Sequence, residues 1–223
     1  MRLDRYLAEM GAGTRSELKK AVRAGRVTVN GEKVKDSAAQ VAEGDEVCLD
    51  GRRIVYEQYV YYMLNKPAGV ISATSDPREK TVLDLIDEGG RKDLFPVGRL
   101  DRDTEGLLLI TNNGELAHRL LSPRRHVDKV YFARLDGPVT EEEKRRFAQG
   151  LVIDETFTAL PADLEILEPA NEVKITIREG KYHQVKRMFE TVGRKVLYLK
   201  RLSMGPLCLD GELPAGKYRR LTQ

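Results

Sequence analysis

Tryptophan is absent and cysteine nearly so: Cys48 and Cys208 are the only two, and they form no C-x-x-C pair. That excludes a disulfide framework and a cysteine-based metal site, and it fits a reducing compartment. Histidine is almost as scarce. His118, His126 and His183 show no H-x-x-x-H or H-E-x-x-H spacing, so no metal cofactor is expected. No apolar run approaches the length of a membrane span. The start, Met1-Arg-Leu-Asp-Arg, lacks the hydrophobic core of a signal peptide, so a cytoplasmic protein away from membranes is expected.

Charge of one sign is also in short supply overall, with a formal net charge of only +3. The distribution says more than the total. Residues 1–35 hold nine Lys/Arg against four Asp/Glu, residues 36–59 two against six, and residues 178–201 eight against two. Two basic blocks in a nearly neutral chain point to local phosphate-binding surfaces.

The first block reads as a small module ending near residue 58, with 51–58 as its connection to a second module. Leu3, Leu7 and Met10 have helical spacing. Thr14-Arg-Ser-Glu17 has the form of a capping box, and Leu18, Ala21 and Val22 give the next helix an apolar stripe that Gly25 ends. Alternation around Asn30-Gly31 is a hairpin signal, because both turn positions tolerate positive φ. Arg15, Lys19, Arg23 and Arg26 fall at i, i+4, i+8 and i+11, on one helical face. Such a run is ordinarily a solvated surface. Here it has few acidic neighbours to relieve the repulsion, which favours an anionic partner.

Residues 59–223 read as a larger module. Strands are expected at 59–64, 106–111, 129–135, 163–167 and 172–178, with helices at 83–86, 113–121, from Thr140, and at 181–192. Single helices among runs of strands, without strict βαβ repeats, indicate an α+β domain with a mostly antiparallel sheet. Two clusters there carry chemistry. In Gly98-Arg-Leu-Asp101-Arg-Asp103-Thr104-Glu105-Gly106, arginines flank carboxylates; alone, an acidic turn before a strand is usually a solvated loop. An adjacent cation keeps a carboxylate ionised and ready to act as nucleophile or base. In Glu179-Gly-Lys-Tyr-His-Gln-Val-Lys-Arg-Met-Phe189, an apolar helix face accompanies Lys181, Lys186 and Arg187, which suit phosphate or carboxylate.

These patterns resemble known families. R-L-D-x-x-L at the start, Arg15 followed by V-x-x-G-x-V-x-V-N-G, and Gly44-Asp45 are similar to the S4 RNA-binding domain over residues 2–50. Lys66-Pro-x-Gly69, G-R-L-D-x-x-T-x-G-L-L from Gly98, Lys129-x-Tyr131 and G-K-Y-H-Q-V-K-R-M-F from Gly180 resemble, in order and spacing, the RsuA-type pseudouridine synthases. Four motifs in order beside an S4 domain make the resemblance specific, and it covers essentially the whole chain.

The resemblance implies a cofactor-free, monomeric RNA isomerase with Asp101 as catalytic carboxylate. Tyr131 would lie against the target base, and Lys186 would be the basic partner of Asp101, where many relatives carry arginine. It further implies Arg99, Thr104, His183, Gln184, Arg187 and Lys66 as substrate- or RNA-binding residues, Thr104 also shaping the loop, with Arg15, Lys19, Arg23 and Arg26 gripping RNA from the S4 part. Detached uracil needs an apolar wall, for which Leu199 is a candidate. The Tyr182–Phe189 wording resembles the small-subunit member, which implies ribosomal RNA, and 16S in particular, as partner. A large-subunit (23S) paralogue and a non-catalytic ribosome-assembly factor are the rival readings; the second should have lost the carboxylate.

Overall fold

The apolar spacings at the start fold as two helices, α1 (Leu3–Glu9) and α2 (Arg15–Arg23). In the computed structural model, which describes residues 1–87, 91, 93–122 and 125–222, Thr14 and Glu17 form the expected capping box. Glu17 N–H donates to Thr14 Oγ1 (3.3 Å) and Thr14 N–H to Glu17 Oε2 (2.8 Å). Leu18 and Val22 pack on Leu3, Tyr6 and Leu7. Each such side chain, fully buried, contributes about 1.5–3 kcal/mol.

Four strands cover this pair: β1 (Val27–Val29), β2 (Glu32–Lys33), β3 (Val47–Leu49) and β4 (Arg52–Ile54). They run antiparallel in the order β2-β1-β3-β4. Asn30 (φ 52°) and Gly31 (φ 83°) make the turn between β1 and β2, both left-handed as a tight hairpin requires. β4 occupies part of the stretch expected to be a connection. The chain divides into two compact units, one of Met1–Val60 with Ile86–Leu94, the other of Tyr61–Leu85 with Phe95–Gln223. A sequence boundary at residue 58 does not anticipate that Ile86–Leu94 groups with the first unit.

The second unit is built on one long sheet. Its elements in chain order are β5 (Tyr61–Lys66), β6 (Phe95–Pro96), β7 (Glu105–Thr111), α3 (Gly114–Leu121), β8 (Lys129–Leu135), α4 (Glu141–Gln149) and β9 (Leu151–Asp154). After these come β10 (Phe157–Ala159), β11 (Asp163–Ile166), β12 (Glu172–Ile177), α5 (Gln184–Glu190), β13 (Val196–Met204), β14 (Leu207–Cys208) and β15 (Tyr218–Arg220). The strand order is β11-β12-β8-β13-β7-β5-β15, with β6 beside β7 and β14 beside β13. All ladders are antiparallel except β13 with β7. The α+β class and mostly antiparallel sheet therefore agree with the sequence reading.

Burial explains the layering. β5 and β7 are buried along nearly their whole length, so both faces of the sheet centre are covered. β8 and β12 alternate, with Val173, Ile175 and Ile177 inward, which is the half-buried pattern. Helix α5 turns Val185, Met188 and Phe189 inward, and the Phe189 ring meets Phe147 of α4 at 4.9 Å.

Two helices are shorter than their spacing suggests. Residues 83–85 form a single 3₁₀ turn. The expected helix at 181–192 starts only at Gln184, because His183 is left-handed (φ 49°) and breaks the helical path before it. Among the described residues no helix is long and apolar enough to cross a membrane, and no cluster of three His, Cys, Asp or Glu is arranged to hold a metal.

Candidate active site

Asp101 sits in the turn between β6 and β7, and that turn is held from inside the protein. Lys66, at the end of β5 and wholly buried, donates from Nζ to the carbonyls of Pro67 (3.0 Å), Arg102 (3.3 Å) and Thr104 (2.8 Å). Gly69 N–H donates to the same Arg102 carbonyl (2.8 Å). Ser72 Oγ exchanges hydrogen bonds with the backbone of Leu100, donating to its carbonyl (2.9 Å) and accepting from its N–H (3.0 Å). Thr104 N–H closes the turn on the Asp101 carbonyl (3.1 Å). Burial pushes the Lys66 ammonium down to about 8. These contacts correct the expectation for Lys66: with no exposed surface it clamps the loop and cannot touch RNA.

The Asp101 side chain is 26% exposed and opens on a cavity of about 630 Å³, within the range of small-molecule sites. Lys186, on the first turn of α5, lies 3.0 Å from Asp101 Oδ2 and 2.6 Å from Asp103 Oδ1. Partial burial would lower the Lys186 ammonium, but its hydrogen bonds to Asp103 and Asp101 outweigh that and hold it above the ordinary lysine value. His183 Nε2 is 3.6 Å from Asp101 Oδ1, beyond hydrogen-bond distance. One oxygen of Asp101 is thus tied to a cation, while the other has no hydrogen bond among the described residues.

Sheet register supplies the far wall. Arg201 on β13 is the cross-strand partner of Tyr131 on β8 and of Gly106 on β7. Gly106 (φ 99°) makes the row possible, since a Cβ there would lie 2.3 Å from the Arg201 carbonyl oxygen. Tyr131 is nearly buried, and Leu199 on β13 is buried beside the same cavity. Arg99 is exposed at the rim. Thr104 is buried, with its hydroxyl unpartnered among the described residues.

Asp101, Tyr131, Lys186, Arg99, Thr104, His183 and Gln184 all line this one cavity. Gln184, however, spends its amide internally: Oε1 accepts from Lys181 N–H (3.0 Å), and Nε2 donates to Glu179 Oε1 (2.9 Å). Buried, it shapes the 179–184 turn rather than facing RNA. Arg187 points away from the cavity, paired with Asp154 and 5.8 Å above the Phe157 ring, so it is not a second cation for Asp101 or for phosphate. In the first unit Arg15, Lys19 and Arg23 are exposed along α2, and none forms a salt bridge among the described residues. Arg26 lies beyond the helix and donates to Asp50 (Nε to Oδ1, 2.7 Å), which corrects its placement on that face.

Sequence spacing does not anticipate every residue of the cavity. Arg201 is buried, donates from Nε to the Leu107 carbonyl (2.8 Å) and leaves Nη2 without a partner among the described residues. Burial and the nearby Arg201 charge hold the Lys129 ammonium below its ordinary value. In sequence, Arg201 follows Lys200 in a strand, where a charge ordinarily faces solvent. Only the pairing of β13 between β7 and β8 turns it inward.

The RNA pseudouridylate synthase family model matches residues 60–191, and the S4 domain model matches residues 1–47. Over 228 residues the chain is 47% identical to an uncharacterized RNA pseudouridine synthase, YtzG, of Bacillus subtilis (strain 168), across 100% of this chain and 95% of that one. It is 42% identical over 226 residues to ribosomal small subunit pseudouridine synthase A of Yersinia pestis (100% and 95% covered). The corresponding protein of Escherichia coli (strain K12) gives 41% over 225 residues (100% and 97%). A crystal structure of a pseudouridylate synthase matches with a TM-score of 0.70 and 40% identity, covering 100% of this chain and 96% of that one. With the catalytic-family match covering more than half of the chain, Asp101 included, and the relatives aligning over all of it, the chain belongs to the RNA pseudouridylate synthases, isomerases here preceded by an S4 domain.

Proposed function

We propose that this enzyme converts one uridine of ribosomal RNA, in the 16S molecule, to pseudouridine, with Asp101 as the catalytic carboxylate and no cofactor. The observation that carries the reading is the Asp101 carboxylate itself: on a clamped loop, one oxygen tied to Lys186, the other free beside a cavity walled by Tyr131 and Leu199. The relatives named for the small subunit, 41–42% identical over 95–97% of their length, support 16S as the target.

The reaction is an isomerisation, so atoms balance within the nucleotide. The N1–C1′ and C5–H bonds break, and C5–C1′ and N1–H form. Asp101 acts at the sugar while the base is detached. Lys186 fixes the orientation of its carboxylate, and a reacting group held in place lowers the entropic part of the barrier. Tyr131 and Leu199 hold the loose uracil between apolar surfaces and away from water. The target must first leave its stack, and Arg99 at the rim is placed to meet its phosphate. Arg15, Lys19 and Arg23 of α2 add phosphate contacts from the S4 unit. The enzyme is read as a monomer acting in the cytoplasm.

The test is a pseudouridine map of 16S and 23S RNA from cells with and without the gene, complemented by wild type or Asp101→Asn. One 16S site should vanish on deletion and return only with wild type. A lost 23S site would move the substrate to the large subunit. Restoration by Asp101→Asn would overturn the role of the carboxylate.

A further inference from the structure

Residues 181–183 could have continued α5 by one turn, and they do not. Glu179 and Gln184, both buried, lock the turn from below: Glu179 Oε1 accepts from Gln184 Nε2 (2.9 Å) and from Leu160 N–H (2.8 Å). His183 is left-handed (φ 49°), an uncommon state for a residue with a side chain. This backbone brings two consecutive rings together, Tyr182 on His183, with centroids 3.8 Å apart and planes 17° from parallel.

The stack contributes little to the folded core. Tyr182 is 75% exposed, the most exposed large apolar side chain among the described residues, and it lines the cavity on which Asp101 opens. One ring face rests on His183, leaving an open face toward solvent. Two exposed cations, Lys181 beside the pair and Arg99, line the same cavity. Aromatic rings set among cations are how single-stranded nucleic acid is held without reading its sequence. A nucleotide drawn out of its stack also leaves a neighbouring base with an uncovered face.

From these observations we infer that Tyr182, backed by His183, is a stacking subsite for a base adjoining the target uridine in single-stranded RNA. The inference rests on the reading that the cavity receives an extruded uridine, and it adds a second base position at the exposed edge of that cavity. Tyr182 is here a substrate-binding residue with no part in bond making.

The direct probe is an oligouridine decamer carrying one central 2-aminopurine, whose emission falls when it stacks on an aromatic ring. Wild type should quench it. Tyr182→Ala should bind about tenfold more weakly and lose most of the quenching, in keeping with what a base–aromatic stack is worth. Tyr182→Phe should keep both, because the ring and not the hydroxyl is required. Equal affinity and quenching in Tyr182→Ala would overturn the subsite. A second arm measures tritium released from 16S transcript labelled at uridine C5. There Tyr182→Ala should raise KM about tenfold and leave kcat nearly unchanged, with thermal melting unmoved. A wild type that releases no tritium would sink the proposed reaction, while the quenching comparison would still decide the subsite.

Discussion

Lys186 stands 2.6 Å from Asp103 and 3.0 Å from Asp101, and distance alone would make Asp103 the partner that matters. Exposure reverses the ranking. The Asp103 side chain is 73% exposed against 26% for Asp101, and water screens an exposed pair to about 0–1 kcal/mol. Asp103→Asn is therefore expected to lower kcat by less than about fivefold. Lys186→Met removes a charged hydrogen bond from the less exposed carboxylate, worth about 1.5–3 kcal/mol, and should cost roughly ten- to a hundredfold in single-turnover rate. A hundredfold loss in Asp103→Asn would instead make the two carboxylates a functional pair. Lys66 offers a pH test. Its ammonium is pushed by burial from 10.5 to about 8. Between those values the unfolded chain holds a proton that the folded chain has released, so this group's contribution to stability rises with pH there and is lowest below pH 8. Lys66→Met takes a donor from three carbonyls, of which that of Arg102 keeps the Gly69 N–H, and should lose about 2–4 kcal/mol at neutral pH. Urea titrations should show its deficit against wild type widening by roughly 1 kcal/mol per pH unit above pH 8. A constant deficit would mean that the lysine keeps its proton throughout.

At the scale of elements, the parallel contact of β13 with β7 decides whether the site exists, because it sets Arg201 between Gly106 and Tyr131. Gly106→Ala adds a methyl group 2.3 Å from a backbone oxygen, at a φ of 99° that side chains rarely adopt. Strain and overpacking together should cost about 2–5 kcal/mol. A lowered urea midpoint with an unchanged m-value would show this. That contact was not legible in the sequence, and the reason is physical. Asn30-Gly31, the Thr14 capping box and the 106–111 apolar run are local signals whose cause lies within a few residues. Strand pairing between residues 105–106 and 200–201 is not local. The left-handed His183 was equally hidden, since Lys181–Val192 has helical spacing throughout and only the buried Glu179–Gln184 bond explains the delay. Residue types carried the site further than periodicity did. Asp101 and Lys186 do meet, whereas Lys66, Gln184 and Arg187 have the polar groups of RNA contacts and are spent on the protein itself.

Across the whole molecule, the nearly neutral total conceals a division of labour between the two units. The second unit holds the cavity, and the first holds an exposed row of cations, Arg15, Lys19 and Arg23, with no salt bridge among the described residues. If that row grips phosphate, its effect belongs to affinity and to salt dependence, and not to the chemical step. Each cation placed on a single-stranded phosphate adds about 0.7 to the slope of log K against log salt. Replacing all three with glutamine should make the slope shallower by about 2. It should weaken binding at low salt and leave kcat at saturating RNA nearly unchanged. Arg26→Gln is the internal comparison. Its guanidinium is held by Asp50, so the slope should move far less, although its formal charge is the same. An equal shift for Arg26 would mean that RNA displaces Asp50 and that the basic surface extends past α2. No shift for the triple variant would leave all RNA recognition to the catalytic unit.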